Sequence, residues 1–457
     1  MSRGSAAFSV TRSTIGLPPT AAGSSVFPIE TGPSQNADPV VSLSNHAIAE
    51  RSPSLRQAQD EGERAPTDSI KDGRTLASGM KIPFLRTLRA PVDEFLRVAA
   101  AQCCLRKIPE LAVPRSAAPD QRMAAVADWL DTLDARQVFN GSVLIAKEGD
   151  ILLERHCGFA DAEGRVPLAG NASFSLASVS KPFTGLGIVM LAQRGKLGID
   201  DALAHHIPEL AAYRGVTIRH LLHHTSGLPD HMGLADRYWN PEVTLTTADM
   251  ISLFVQHRPR PRFAPGDQFE YSNTGYVLLG EIIARASGRS FVDFMADEIF
   301  APLGMKDSAA YNLTCPVCTL QCRATGMRRR FGCFGKRVSS DMNYLDGVFG
   351  DGGIHASAED LLRWDAALRA GTLIPNELYE QAYASGRLNN GETTGYGFGW
   401  EVRPRHVVEH LGEWEGFITC LRRDLRKHTL LVVLSNLGPA ACVDEISAQL
   451  GRFVTTL

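Results

Sequence analysis

The chain has no apolar run near the ~20 residues needed to span a bilayer. Its longest apolar stretches, around 185–192 and 429–434, have the length of core elements. The first thirty residues hold no continuous apolar segment, which argues against a secretory signal. No sign of charge dominates. Against 47 Lys+Arg stand 50 Asp+Glu, a formal net charge of -3, so nothing draws the chain electrostatically to nucleic acid or to an anionic membrane. There is no internal repeat, which excludes a solenoid or a propeller. Nine cysteines cannot all pair within one chain, and the odd number leans towards a reducing, cytoplasmic address. Acids are missing before Glu30, while Arg3 and Arg12 sit among Ser and Thr. That is loosely like an organelle transit peptide, and a disordered extension is the preferred reading.

What is present is an ordinary globular composition, 44% hydrophobic and 21% charged, over 457 residues, enough for a large core. Residues 1–118 show no sustained period and are expected to be a mostly disordered extension, with one short helix near 92–105. From 119 to 457 the pattern is that of one domain. Met123, Val126, Trp129, Leu130 and Leu133 recur at helical spacing. Two strands, 141–147 and 151–156, follow around the turn Glu148-Gly149-Asp150. A buried helix is expected over 178–194, with Pro182 in its first turn and Gly195 behind it. Residues 196–345 read as short helices and loops, among them 218–224 with Thr217 as N-cap and 276–286 closed by Gly288. Strands return at 396–402, 406–410, 417–423 and 429–435, before a last helix over 440–453. The expected fold is α+β: an antiparallel β-sheet flanked by helices, with a mainly helical subdomain inserted.

Three short motifs carry chemistry. In Ser178-Val179-Ser180-Lys181 the serine and lysine share one helical face, which sets an ammonium beside a hydroxyl. An alcohol is a poor nucleophile near neutral pH without an adjacent base. Tyr271-Ser272-Asn273 projects Tyr271 and Asn273 to one side of an extended segment, and a phenol near an ammonium makes a plausible proton shuttle. His410-Leu411-Gly412 ends a strand where a glycine permits close approach of the backbone, and a free N–H there, with that of Ser178, would form an oxyanion hole. Each triplet has a decoy: Ser78–Lys81, Tyr238-Trp239-Asn240 and His231-Met232-Gly233.

In this order the three motifs resemble the class C β-lactamase and penicillin-binding-protein-like serine hydrolases, which include esterases and D-aminopeptidases. The likeness covers about 120–457. It extends to Phe139-Asn140-Gly141-Ser142-Val143, His224-Thr225-Ser226-Gly227-Leu228-Pro229, Pro265-Gly266 and Pro302-Leu303-Gly304-Met305. The decoys lack such neighbours. The resemblance implies a β-lactamase/transpeptidase-like fold, with Ser178 as nucleophile and Lys181 as its partner. It implies Tyr271 as general base and later acid, and Asn273 as a contact to a substrate amide or to the lysine. The N–H of Glu413 becomes the second oxyanion donor. No cofactor is implied, and the partner is a small ester, amide or lactam. His410-Leu411-Gly412 departs from the Lys-Thr-Gly of true β-lactamases, losing a fixed cation and a hydroxyl suited to a substrate carboxylate. Esters therefore rank above D-amino peptides, and those above β-lactams. A catalytically dead relative serving as a binding module is the rival of another class.

Two clusters invite a metal reading. His220, His223 and His224 include an i, i+4 pair, and the resemblance reads them as a structural helix end. Cys315, Cys318, Cys322 and Cys333 could form a four-thiolate zinc site, with Arg328, Arg329 and Arg330 favouring thiolate. Loop cysteines without a metal are the preferred reading.

Overall fold

The computed structural model describes residues 105–315, 320–331, 334–438 and 440–457, all within the unit Met80–Leu457. The helix expected near 92–105 lies essentially outside them, as do Cys318, Cys333 and the decoy at Ser78–Lys81.

A six-stranded antiparallel sheet forms the frame, in the order β2-β1-β11-β10-β9-β8. Its strands are β1 (Gly141–Lys147), β2 (Asp150–Cys157), β8 (Glu401–Arg403), β9 (Val407–Trp414), β10 (Phe417–Asp424) and β11 (Thr429–Ser435). Small pairings β3 (Phe174–Ser175), β4 (Ala309–Ala310) and β7 (Ile354–Ala356) make a second sheet, and β5 (Met327–Phe331) with β6 (Phe334–Ser339) a hairpin. Successive side chains of a strand point to opposite faces. On β1, Val143 and Ile145 enter one apolar cluster while Leu144 and Ala146 enter another. On β11, Leu431 and Val433 join the first, and Leu430, Val432 and Leu434 the second. The central strands are therefore apolar on both faces, because helices cover both.

The first cluster is closed by the two terminal helices, α1 (Pro119–Ala135) and a last helix, Ala440–Val454. Trp129, Leu130 and Leu133 meet Ile446, Leu450 and Phe453 there, each buried side chain stabilising by about 2 kcal/mol relative to exposure. Residues 105–118, expected to belong to the extension, add to this layer. Ile108, Leu111 and Val113 pack against it, Trp129 Nε1 donates to the Pro109 carbonyl at 2.9 Å, and the Leu111 amide donates to Gln449 Oε1 at 2.6 Å. Residues 105–118 thus pack as part of the same body as the residues after Pro119.

The second cluster contains α2 (Lys181–Gln193), buried from Lys181 to Leu191, and the helical insertion. There α3 (Asn273–Ser287) ends at Gly288, whose φ of +72° suits a residue without Cβ. Ser178 precedes α2 in a 3₁₀ turn, Ala177–Ser180, rather than in the α-helix expected to start there. Residues 396–402 also differ from expectation: only Glu401–Arg403 pairs as a strand. Gly399 at φ +86° brings its backbone against the start of α2, where a Cβ would stand 2.5 Å from the Lys181 carbonyl. That approach bends the segment away from the sheet.

Asn140, fully buried beside β1, ties both chain ends of the sheet together. Its Nδ2 donates to Asn436 Oδ1 at 2.6 Å and to the Phe159 carbonyl at 2.8 Å. Its Oδ1 accepts from the Phe159 amide at 3.0 Å. Asn140→Ala removes the partners of the Phe159 amide and of Asn436 Oδ1 and is expected to cost about 2 kcal/mol, read as a lower urea midpoint at unchanged slope.

Candidate active site

The turn that carries Ser178 is held from two sides. Leu176 donates its amide to the Ile354 carbonyl at 2.8 Å, and its carbonyl accepts from Thr419 Oγ1 on β10 at 2.8 Å. Ala177 sits at φ +49°, a left-handed conformation that costs an L-residue about 1–2 kcal/mol. Among the described residues the Ser178 amide has no backbone acceptor. β9 runs directly alongside. A Cβ on Gly412 would meet the Leu176 carbonyl and Thr419 Oγ1 at 2.4 Å, and the Ser178 nitrogen at 3.1 Å. This glycine therefore lets the turn that carries Ser178 approach the strand, where the sequence suggested room for substrate. The two-residue turn Glu415-Gly416 pairs Trp414 with Phe417 and Glu413 with Ile418. Alternation along an antiparallel pair then directs the Glu413 N–H away from β10.

Lys181 opens α2 and is 0% exposed. Its Nζ lies 2.9 Å from each of Ser178 Oγ, Asn273 Oδ1 and the Asp351 carbonyl. Burial pushes its pKa down to about 8, with the Asp351 charge working the other way. Asn273 reaches it from the first turn of α3, whose N-cap, Ser272, accepts from the Gly275 amide at 3.2 Å. Tyr271 stands just before, its ring 5.0 Å from Lys181 Nζ. Tyr271 is 41% exposed. Desolvation of its phenol nevertheless raises its pKa well above 10, against a hydrogen bond with Ser178 that lowers it. Ser178, Lys181, Tyr271 and Asn273 thus converge as the motifs implied.

His410 does not offer its ring to a ligand. Its Nδ1 donates to the Leu411 carbonyl at 2.6 Å, so Nε2 is the acceptor, taking the Tyr396 hydroxyl at 2.8 Å. Burial and the Lys181 charge push its pKa down to about 3, and it stays neutral. The cleft beside Ser178 encloses roughly 680 Å³, open solvent included, and is lined by Asn273, Tyr311, Asp346, Trp414 and the backbone around Asp351. Asp346 is pushed up to about 7 by burial, against hydrogen bonds from the Asn343 amide and Trp414 Nε1. Arg323, the cleft's arginine, is paired with Asp341 at 2.7 Å.

Sequence reasoning missed several of these residues. His231 and Met232, read as a decoy, line the cleft. The Asp351 carbonyl carries no side-chain signal, and the place of Tyr396 depends on the bend at Gly399. Tyr238, of the other decoy, stacks on His257 at 3.7 Å. The rings of His220, His223 and His224 bond Thr217, the Tyr396 carbonyl and the Ser272 amide respectively, three separate places. Of the four cysteines only Cys315 and Cys322 are described, and the Asn171 amide lies 3.1 Å from the exposed Cys322 sulfur. Among the described residues, Asp201, His205 and His206 bring ligand atoms within 4.8 Å of one another and form a group able to hold a metal ion. No helix among the described residues is long and apolar enough to cross a membrane.

A sheet with a helical insertion, holding a serine, a buried lysine and a tyrosine at their junction, defines a serine-hydrolase architecture. A family model described as Beta-lactamase matches residues 124–451, and the chain belongs to that family, whose members are serine hydrolases of the β-lactamase and penicillin-binding-protein type. It is similar to penicillin-binding protein 4* of Bacillus subtilis, 39% identical over 316 residues, covering 67% of this chain and 70% of that one. Protein flp of Staphylococcus aureus is 28% identical over 319 residues, and the match spans 65% of this chain and 59% of flp. The octameric penicillin-binding protein homologue from Pyrococcus abyssi superposes with a TM-score of 0.61 at 26% identity, covering 72% of this chain and 77% of that one.

Gly412→Ala is expected to push β9 off the turn that carries Ser178. Labelling of Ser178 by a fluorophosphonate should slow by about 10²-fold, the scale of a lost oxyanion donor, while the far-ultraviolet circular dichroism stays that of the wild type.

Proposed function

We propose that the protein hydrolyses carboxylic esters through an acyl-enzyme on Ser178. The observation that carries this reading is the set of three contacts around Lys181 Nζ. As an ammonium, it donates to all three oxygens. As a neutral amine, it keeps two N–H donors and gains a lone pair. The Asn273 and Asp351 carbonyl oxygens can only accept, so the lone pair is left facing the one partner able to donate, the Ser178 hydroxyl. A lysine lowered to about 8 supplies that amine near neutral pH. Tyr271, held above 10, stays a phenol. The resemblance makes Tyr271 the base; the electrostatics favour Lys181 in that role and Tyr271 as the acid.

In this mechanism the Ser178 proton passes to Lys181 while Oγ bonds to the carbonyl carbon. The π pair moves onto the carbonyl oxygen, facing the amides of Ser178 and Glu413. The oxyanion then re-forms the C=O, the bond to the leaving oxygen breaks, and Tyr271 protonates that oxygen, taking a proton from Lys181 in turn. Water repeats the sequence on the acyl-enzyme and restores Ser178. Esters rank first because neutral His410 supplies no cation for a substrate carboxylate, which β-lactams and C-terminal peptides carry. The intact Ser178, Lys181 and Tyr271 weigh against a role in binding alone.

Wild-type protein should hydrolyse p-nitrophenyl butyrate, with kcat/KM falling about 10⁴-fold or more in Ser178→Ala. Equal rates in the two proteins would remove Ser178 from the mechanism. The pH profile follows from Lys181. Below its pKa of about 8 the amine is protonated, so kcat/KM should climb about tenfold per pH unit and level off above pH 8. A tyrosinate base would place that limb above pH 10.

A further inference from the structure

We infer that His224 is the positioning residue that sets Tyr271 and Asn273 against Ser178, an inference that rests on the proposed acyl transfer. His224 is 0% exposed and lies outside the reacting groups. Its carbonyl accepts from the Glu270 amide at 2.9 Å. Its Nδ1 accepts from the Ser272 amide at 3.0 Å. One residue therefore grips the chain immediately before and immediately after Tyr271. The second grip also fixes the N-cap of α3, and hence the first-turn residue Asn273 that bonds Lys181.

The backbone of His224 is adapted to this double contact. At φ +58° it occupies the left-handed region, uncommon for a residue with a Cβ. The ring is enclosed by tyrosines, with centroids 4.4 Å from Tyr271, 5.0 Å from Tyr276 and 4.4 Å from Tyr396. Because Nδ1 accepts an amide proton, the neutral ring carries its own proton on Nε2. That nitrogen is buried with no hydrogen-bond partner among the described residues. The group is thus kept as one neutral tautomer, by burial and by the nearby charge of Lys181. A second proton would break the Ser272 bond. A solvent-facing or merely space-filling residue needs neither the acceptor nor the left-handed backbone.

Two substitutions separate acceptor from packing. His224→Phe keeps a ring in the tyrosine cage and removes the acceptor, leaving the Ser272 amide unpaired. His224→Asn gives up the ring, supplies Oδ1 close to where Nδ1 stood, and tolerates positive φ. With p-nitrophenyl butyrate, the Phe variant is expected to lose about 10²-fold in kcat, the cost of an ångström-scale misplacement of reacting groups. KM and the thermal midpoint should change little by comparison. The Asn variant should recover most of that kcat even where its midpoint is lower. Wild-type kcat in the Phe variant overturns the inference, and so does an Asn variant as slow as Phe. Failure of the acyl-transfer reading itself is told apart by Ser178→Ala, which would then match the wild type in the same assay.

Discussion

The structure turns on the burial of one amine. Taking a lysine out of water is costly unless every donor finds an acceptor, and Lys181 has three, drawn from three regions of the chain. Ser178 comes from the turn ahead of α2, Asn273 from the start of α3, and the Asp351 carbonyl from the loop leading into β7. Desolvation lowers the pKa, and a neutral amine can still donate to the Asn273 and Asp351 oxygens while accepting from the Ser178 hydroxyl. The helical insertion and the sheet are joined at this nitrogen. The lowered pKa depends on that one arrangement, since loosening it would admit water and return the lysine to its ordinary, protonated state.

Around that point the backbone is drawn unusually close. β9 lies against the turn that carries Ser178 at Gly412, and the segment before β8 lies against the Lys181 carbonyl at Gly399. These approaches leave no room for a side chain at either glycine. The Tyr396 carbonyl accepts from His223 Nδ1 and its hydroxyl donates to His410 Nε2, so two histidines become neutral parts of the wall.

Much of this was legible in the sequence, for identifiable reasons. β1, β2, β10, β11 and the last helix follow from apolar periodicity, which a sheet covered on both faces preserves. That Ser178, Lys181, Tyr271 and Asn273 lie together was legible because the spacing within each motif sets where its side chains project. The failures are long-range. Residues 396–402 have strand composition, yet the contact of Gly399 with α2 bends them away. Residues 105–118 lack a period but bury Ile108, Leu111 and Val113 against helices far along the chain. The hairpin β5–β6 forms in the cysteine-bearing stretch, whose sequence reads as a loop. His410 was read from its motif position alone, which does not show that both ring nitrogens are occupied.

The neutrality of His410 changes how selectivity can work. Where a lysine would hold a substrate carboxylate, this chain places a ring whose proton is committed to the Leu411 carbonyl. Arg323 cannot substitute, because Asp341 already neutralises it. Asp346 and Asp351 border the same cleft, and burial keeps Asp346 near the boundary of ionisation. An anionic group entering would meet these acids, and among the described residues lining the cleft the arginine is already paired. In the proposed ester hydrolysis a neutral acyl group would meet no such opposition, since oxyanion donors act on charge that develops at the carbonyl. On that proposal, discrimination against carboxylates would reside in the residues around the cleft and not in the contacts of Lys181.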